Sequence, residues 1–195
     1  MNAQESLNRL KEGNARFVAD QLEGKLQDKL RRESLTAGQA PYAIILGCAD
    51  SRIVPELAFD AGLGELFVVR VAGNVANTSS IASIEYAVAH LGTKLIVVLS
   101  HQSCGAVTAA VAGGDNGHNL NHLLAHVTPA IVASKEGADV NKVAKKNATL
   151  TVEDLKNRSG IIKNAVEKED VKIVPAYYNL DTGKVDFLNY TKLFT

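Results

Sequence analysis

Four stretches of this chain are apolar without alternation: residues 42–46, 66–71, 95–99 and 172–178. A strand with one face in water alternates apolar and polar residues. An unbroken Tyr42-Ala-Ile-Ile-Leu46 or Leu95-Ile-Val-Val-Leu99 therefore belongs to a strand covered on both faces. Segments of helical periodicity separate these runs. Residues 79–91 place Ile81, Ile84, Ala87, Val88 and Leu91 on one face and stop at Gly92, and residues 55–60 suit a short helix begun by Pro55. Alternating strands and helices predict an α/β fold with a mainly parallel sheet flanked by helices. The run 66–71 is expected to be a second buried strand. The last run meets a short segment, 184–188, through Asn179-Leu-Asp-Thr-Gly183, which predicts a hairpin and hence an antiparallel fifth strand. Pro175 predicts an edge position or a bulge in the fourth strand.

Ahead of the first run, residues 5–19 carry Leu7, Leu10, Phe17 and Val18 at near-helical spacing, and the charged stretch 23–33 also suits helix. Few residues here are apolar, so 1–38 is expected to be a helical arm that packs poorly alone and lies over a neighbouring subunit. Residues 39–195 form the α/β core, the whole chain being one domain at this length. Lys and Arg number 21 and so do Asp and Glu, which gives no basic field for nucleic acid. No apolar stretch approaches the roughly twenty residues that span a bilayer. The polar N-terminus lacks the apolar segment of a secretory signal, so a cytoplasmic location is expected, although a periplasmic protein stripped of its signal would begin the same way. Small molecules and copies of the chain itself are the expected partners.

The two cysteines sit just past the first and third runs. One run delivers Cys48-Ala-Asp50-Ser51-Arg52, the other His101-Gln-Ser-Cys104-Gly105. A single buried thiol is usually a small hydrophobe, and two in a secreted chain can be bridged. The polar company of both thiols favours a metal instead. Ligands of parallel sheets bind beyond the carboxyl ends of the strands, where all these residues fall. Two thiolates and a neutral imidazole make a charge-compensated site for one Zn2+ with its fourth position open, the mark of catalytic zinc. Such an ion brings the pKa of a bound water from about 16 toward 7 and gives a hydroxide nucleophile at neutral pH. Thiolates leave the metal less acidic than imidazoles would. Asp50 can accept the hydroxide's hydrogen and aim its lone pair, with Arg52 fixing that carboxylate bidentately.

Cys48-x-Asp50-Ser51-Arg52 paired with His101-x-x-Cys104-Gly105 resembles the signature of the β-class carbonic anhydrases. The likeness extends through Glu56, Phe67-Val-Val-Arg70, Ala72-Gly73-Asn74, Ser83-Ile-Glu-Tyr86-Ala-Val and the hairpin ending at Gly183. It implies zinc-dependent reversible hydration of carbon dioxide to bicarbonate, a four-stranded parallel sheet with a fifth strand, and a homodimer as the minimal unit, with tetramers open. It also implies that Asp50 can become a fourth zinc ligand in a closed, inactive state. Residue by residue, Gln39 matches a glutamine whose amide donates to bound bicarbonate or carbon dioxide. Ser51 and Gly105 offer nearby polar or backbone contacts, and Phe67, Ala72 and Tyr86 match pocket-wall positions. Taken alone, Phe67 and Tyr86 also suit the core and Gln39 a loop.

Two positions depart from the pattern. Val71 stands where many members carry asparagine, and Ile45 where the regulated subgroup carries the tryptophan of a second bicarbonate site. The resemblance is thus to the unregulated, open-site members, although Gly47 is the residue regulated members have. Alternatives on the same scaffold are a hydrolase of carbonyl sulfide or carbon disulfide and a non-catalytic, bicarbonate-sensing zinc protein. His118, His122 and His126 recur at helical spacing and suit a solvated face better than a second metal site. Asn77-Thr-Ser79 and Asn147-Ala-Thr149 match the glycosylation triplet, a pattern short enough to arise by chance.

Overall fold

The computed structural model describes residues 1–134 and 139–188. Five strands, β1 (Ala43–Gly47), β2 (Leu66–Arg70), β3 (Leu95–His101), β4 (Lys172–Tyr178) and β5 (Val185–Phe187), form one sheet in the order β2-β1-β3-β4-β5. The first four are parallel and β5 is antiparallel to β4. Among the described residues the helices are α1 (Ala3–Val18), α2 (Lys29–Ser34), α3 (Pro55–Ala58), α4 (Thr78–Ala89), α5 (Gly105–Ala112), α6 (His118–Ala125), α7 (Thr128–Ala133), α8 (Val140–Arg158) and α9 (Gly160–Lys168).

The absence of alternation has its expected cause. Ile44, Leu46, Ile96 and Val98 point to one face, where they pack with Ile84 and Val88 of α4, Val152 and Leu155 of α8 and Ile162 of α9. Ala43, Ile45, Leu95, Val97 and Leu99 point to the other, against Leu10 of α1 and the Ala58–Phe59 end of α3. Consecutive residues of β1 and β3 thus enter different cores, and both strands are buried throughout. β2 differs from expectation. It is an edge strand of half-buried residues ending in exposed Arg70, since only β1 pairs with it.

Pro175 lies inside the sheet, opposite Val98, but its ring costs no ladder bond. Its carbonyl accepts from Leu188 N, so its nitrogen faces the β5 side just beyond β5's pairing with Ala176–Tyr178. Over its first half β4 is an edge in all but name.

The opening segment departs further. α1 begins with a capping box between Asn2 and Glu5 and docks on its own chain: Leu10 is fully buried, and a Cβ on Gly13 would lie 1.9 Å from the Phe59 carbonyl oxygen. Buried Asn14 ties three elements together, its Nδ2 donating to the carbonyls of Ala58 and Gly183 and its Oδ1 accepting from Val185 N. The charged stretch is helical only over Lys29–Ser34. Before it Gly24 and Leu26 adopt positive φ and Asp28 caps the helix, because the backbone there is bound to the core by Asp60 and by the Leu26 carbonyl, which accepts from Leu63 N. α2 buries none of its residues. No helix among the described residues is long and apolar enough to cross a membrane.

Candidate metal centre

Strand order fixes where a site forms. From β1 the chain moves outward to β2, then returns to the other side of β1 as β3. The loops leaving β1 and β3 diverge, and the crevice between them is the switch point of the sheet. Cys48 follows β1 directly, His101 ends β3, and Cys104 precedes α5. Their ligand atoms all lie within 4.8 Å of one another, the only such group among the described residues, and all three residues are buried. The two sulfurs are 4.0 Å apart and unbridged.

The donor set fits a divalent metal on evidence of its own. Nδ1 of His101 donates to the Gln102 carbonyl at 2.8 Å, which leaves the Nε2 lone pair facing the sulfurs. Nε2 is buried without a hydrogen-bond partner, a costly arrangement for a polar atom unless something binds it. The neighbouring thiols shift each other in opposite directions. The Cys104 S–H and the Gly73 N–H, the latter 3.3 Å from Cys48 Sγ, pull the Cys48 thiol well below its usual range against the opposing effect of burial. Cys104, hydrogen-bonded to that sulfur and buried beside its charge, is pushed up. A dication reverses the second effect, because each thiolate then neutralises a positive charge.

Asp50 stands at the mouth. Its Oδ1 accepts from Arg52 Nε at 2.9 Å and from Arg52 N at 3.0 Å, and its Oδ2 accepts from Arg52 Nη2 at 2.7 Å. Oδ2 also lies 3.9 Å from His101 Nε2. The guanidinium holds the Asp50 carboxyl far below the usual carboxylate range. The carboxylate is thus turned to the arginine and is not one of the three clustered ligands. Arg52 also donates to the Ser103 carbonyl, tying the β1 loop to the β3 loop.

The sequence reading gave several supporting residues no role. Arg70 clamps the Cys48 loop from the end of β2, donating to the carbonyls of Cys48 and Asp50. In the sequence it stood as the one charge in an apolar run, within the Phe67-Val-Val-Arg70 likeness. Gln102 accepts from Leu180 N, and Asn141 of α8 accepts from Ser103 N, pinning the β3 loop from two sides. Gly73 reaches Cys48 because it takes φ 71°, a conformation glycine adopts without strain.

The pocket residues divide. Ser51 in the turn, Gly105 at the start of α5 and Ala72 next to Gly73 lie beside the cluster. Gln39, Phe67 and Tyr86 are not brought there. Gln39 is exposed ahead of β1, separated from Cys48 by the whole strand, about 16 Å of extended chain. Phe67 pairs in register with Ile44, about 13 Å behind Cys48 along the strand direction. Its ring leans on Tyr86, 6.4 Å between centroids, and Tyr86 is 49% exposed on α4. Val71 packs among apolar side chains and Ile45 is core.

The remaining motifs resolve structurally. Asn77 caps α4 through Ser80 N, and Asn147 is buried, so it is no acceptor for a glycan. His122 and His126 meet edge to face at 5.7 Å, outside any three-ligand cluster among the described residues.

Comparison with known proteins agrees with the site. The family model described as carbonic anhydrase matches residues 43–185. Carbonic anhydrase 2 of Mycobacterium tuberculosis is 41% identical over 181 residues, covering 90% of this chain and 87% of its own. The carbonic anhydrase of Mycolicibacterium smegmatis is 40% identical over 187 residues, covering 93% and 91%. Among solved structures, the Coccomyxa β-carbonic anhydrase in complex with acetazolamide superposes with a TM-score of 0.74 at 28% identity, over 93% of this chain and 86% of that one. A tetrameric β-carbonic anhydrase structure from Sordaria macrospora gives 0.74 at 25% identity, over 81% and 85%. The chain belongs to the β-class carbonic anhydrases.

Proposed function

We propose that the protein is a zinc-dependent carbonate dehydratase, interconverting carbon dioxide with bicarbonate and a proton. The observation that carries this reading is His101 Nε2, buried and unpartnered between two cysteine sulfurs, with the Arg52-latched carboxylate of Asp50 at the opening. Cys48, His101 and Cys104 would hold one zinc ion, whose Lewis acidity makes water a base at neutral pH. The chain's own groups do the rest. Asp50, kept ionised by Arg52, accepts a hydrogen bond from the attacking oxygen and so orients its lone pair toward the carbon. Arg52 withholds Asp50 from the ligand set by occupying both its oxygens. That latch favours an enzyme over a non-catalytic sensor with four protein ligands.

Gln39, Phe67 and Tyr86 complete a substrate pocket only if another copy supplies them, since their own chain holds them at a distance. We therefore infer a homodimer or higher assembly. Half-buried β2, exposed Tyr86 and the uncovered α2 support it, as does the tetrameric relative.

Metal analysis and gas hydration on the purified protein test the reading together. About one zinc per chain and turnover of carbon dioxide well above that of carbonyl sulfide are expected. Full activity in metal-free protein would overturn it, and preference for the sulfur-containing gas would reassign the substrate.

A further inference from the structure

The Gly73 N–H that reaches Cys48 is itself held from elsewhere. Gly73 sits in the short 3-10 turn Ala72–Asn74, in a left-handed conformation with φ 71° and ψ 13°. Its N–H is 3.3 Å from Cys48 Sγ, while its carbonyl oxygen accepts from Asn147 Nδ2 at 2.8 Å. Asn147 lies midway along α8, is 2% exposed, and belongs to no loop of the site. A neutral amide buried this deeply, on a helix face that apart from Thr151 is apolar, costs free energy unless it is hydrogen-bonded.

We propose that Asn147 is a positioning residue for the metal centre, acting through the Gly73 backbone on the Cys48 sulfur. The two peptide groups flanking the Gly73 α-carbon share two soft torsions. Holding the carbonyl of one therefore narrows the directions open to the N–H of the other. Glycine has no side chain to hold these torsions, and the hydrogen bond from α8 takes that role. An N–H donor aimed at a thiolate lowers its basicity and holds its lone pairs at a set angle to the ion, as outer contacts do for metal ligands generally. The inference rests on the reading of Cys48 as a metal ligand and extends it to a residue that touches neither metal nor substrate. The same helix steadies the second ligand loop through Asn141, so α8 sets the spacing of both.

The experiment uses the full-length protein loaded with cadmium-113. In the unsubstituted protein the Gly73 amide proton is expected to show scalar coupling to cadmium across the Cys48 sulfur, and Asn147→Leu is expected to abolish it. In zinc-loaded protein Asn147→Leu should speed metal release to a chelator by about 10–100-fold. Leu155→Ala, on the same helix and fully buried, is the structural control: it should lower the unfolding temperature and leave metal release unchanged. Cadmium coupled to the cysteine β-protons but not to the Gly73 amide would overturn the proposal while leaving the metal site intact. So would equal release rates in the Asn147 and Leu155 variants. Failure to bind metal at all would sink the site itself and this inference with it. Because the coupling is read on the unsubstituted protein, a variant that fails to fold does not remove the test.

Discussion

The two halves of the candidate site are built in opposite ways. The metal half, Cys48, His101, Cys104, Asp50 and Arg52, is assembled within one chain from two loops leaving adjacent buried strands, and Arg52, Arg70, Gln102, Asn141 and Asn147 brace it. The residues proposed for a substrate half are scattered: Gln39 lies beyond the amino end of β1, and Phe67 and Tyr86 lie along the sheet's edge with exposed surface. A metal tolerates only tenths of an ångström of error in its ligands, which a single rigid core provides. A pocket for a small apolar molecule needs walls, and walls can come from a neighbouring subunit.

That contrast can be broken most directly at its metal half. Cys48→Ser should remove bound metal and reduce hydration to background, as metal analysis and stopped-flow assay will show; retained metal would dismantle the assignment. Asp50→Asn should keep the metal and lose about a hundredfold or more in turnover, because a neutral amide is neither held bidentately by Arg52 nor as strong an acceptor for the hydrogen it must orient. Loss of metal there would make Asp50 a structural residue.

The substrate half is sharpened by subunit mixing. Gln39→Ala alone should cost about tenfold, the scale of one hydrogen bond. Refolded together with Cys48→Ser chains, it should give hybrids in which an intact metal centre meets an intact Gln39, and activity above the mean of the two parents. Strict averaging would place Gln39 outside the site.

The smallest effect on activity is expected at the anchor of the opening segment. Asp60 accepts from Arg16 Nε and from the backbone of Glu23 and Gly24. Burial acts to raise its pKa, but Arg16 and the two N–H groups prevail and lower it. A depressed folded-state pKa stabilises above the unfolded value, near 4, and the contribution fades as pH falls through the folded one. Asp60→Asn should therefore cost about 1–3 kcal/mol in denaturant titrations at pH 7 and leave turnover unchanged. The gap between variant and parent should narrow below about pH 4; a gap constant down to pH 2 would refute the ion-pair account.

Local chemistry was legible where it is written in consecutive residues. The unbroken apolar runs of β1 and β3 require two covered faces, and covering both makes a parallel sheet whose carboxyl ends carry the following loops. Cysteine, histidine and aspartate at those ends are recognisable because few other environments call for that combination. Distance in the chain hides the rest. Nothing near Asn14 or Asn147 marks either as a link between elements, since their partners are Gly183 and Gly73. The charged stretch 23–33 has helical composition, yet contacts with Asp60 and Leu63 hold its first half in another conformation. The run 66–71 carries no sign of lying at an edge, because edge or centre is settled by which strands pair, not by the strand's own residues. The sequence by itself therefore determined the candidate ligand set and the sheet that presents it. Only the tertiary structure decided how that set is braced and which pocket residues one chain can deliver, because hydrogen bonds between remote segments depend on topology rather than on neighbouring residues.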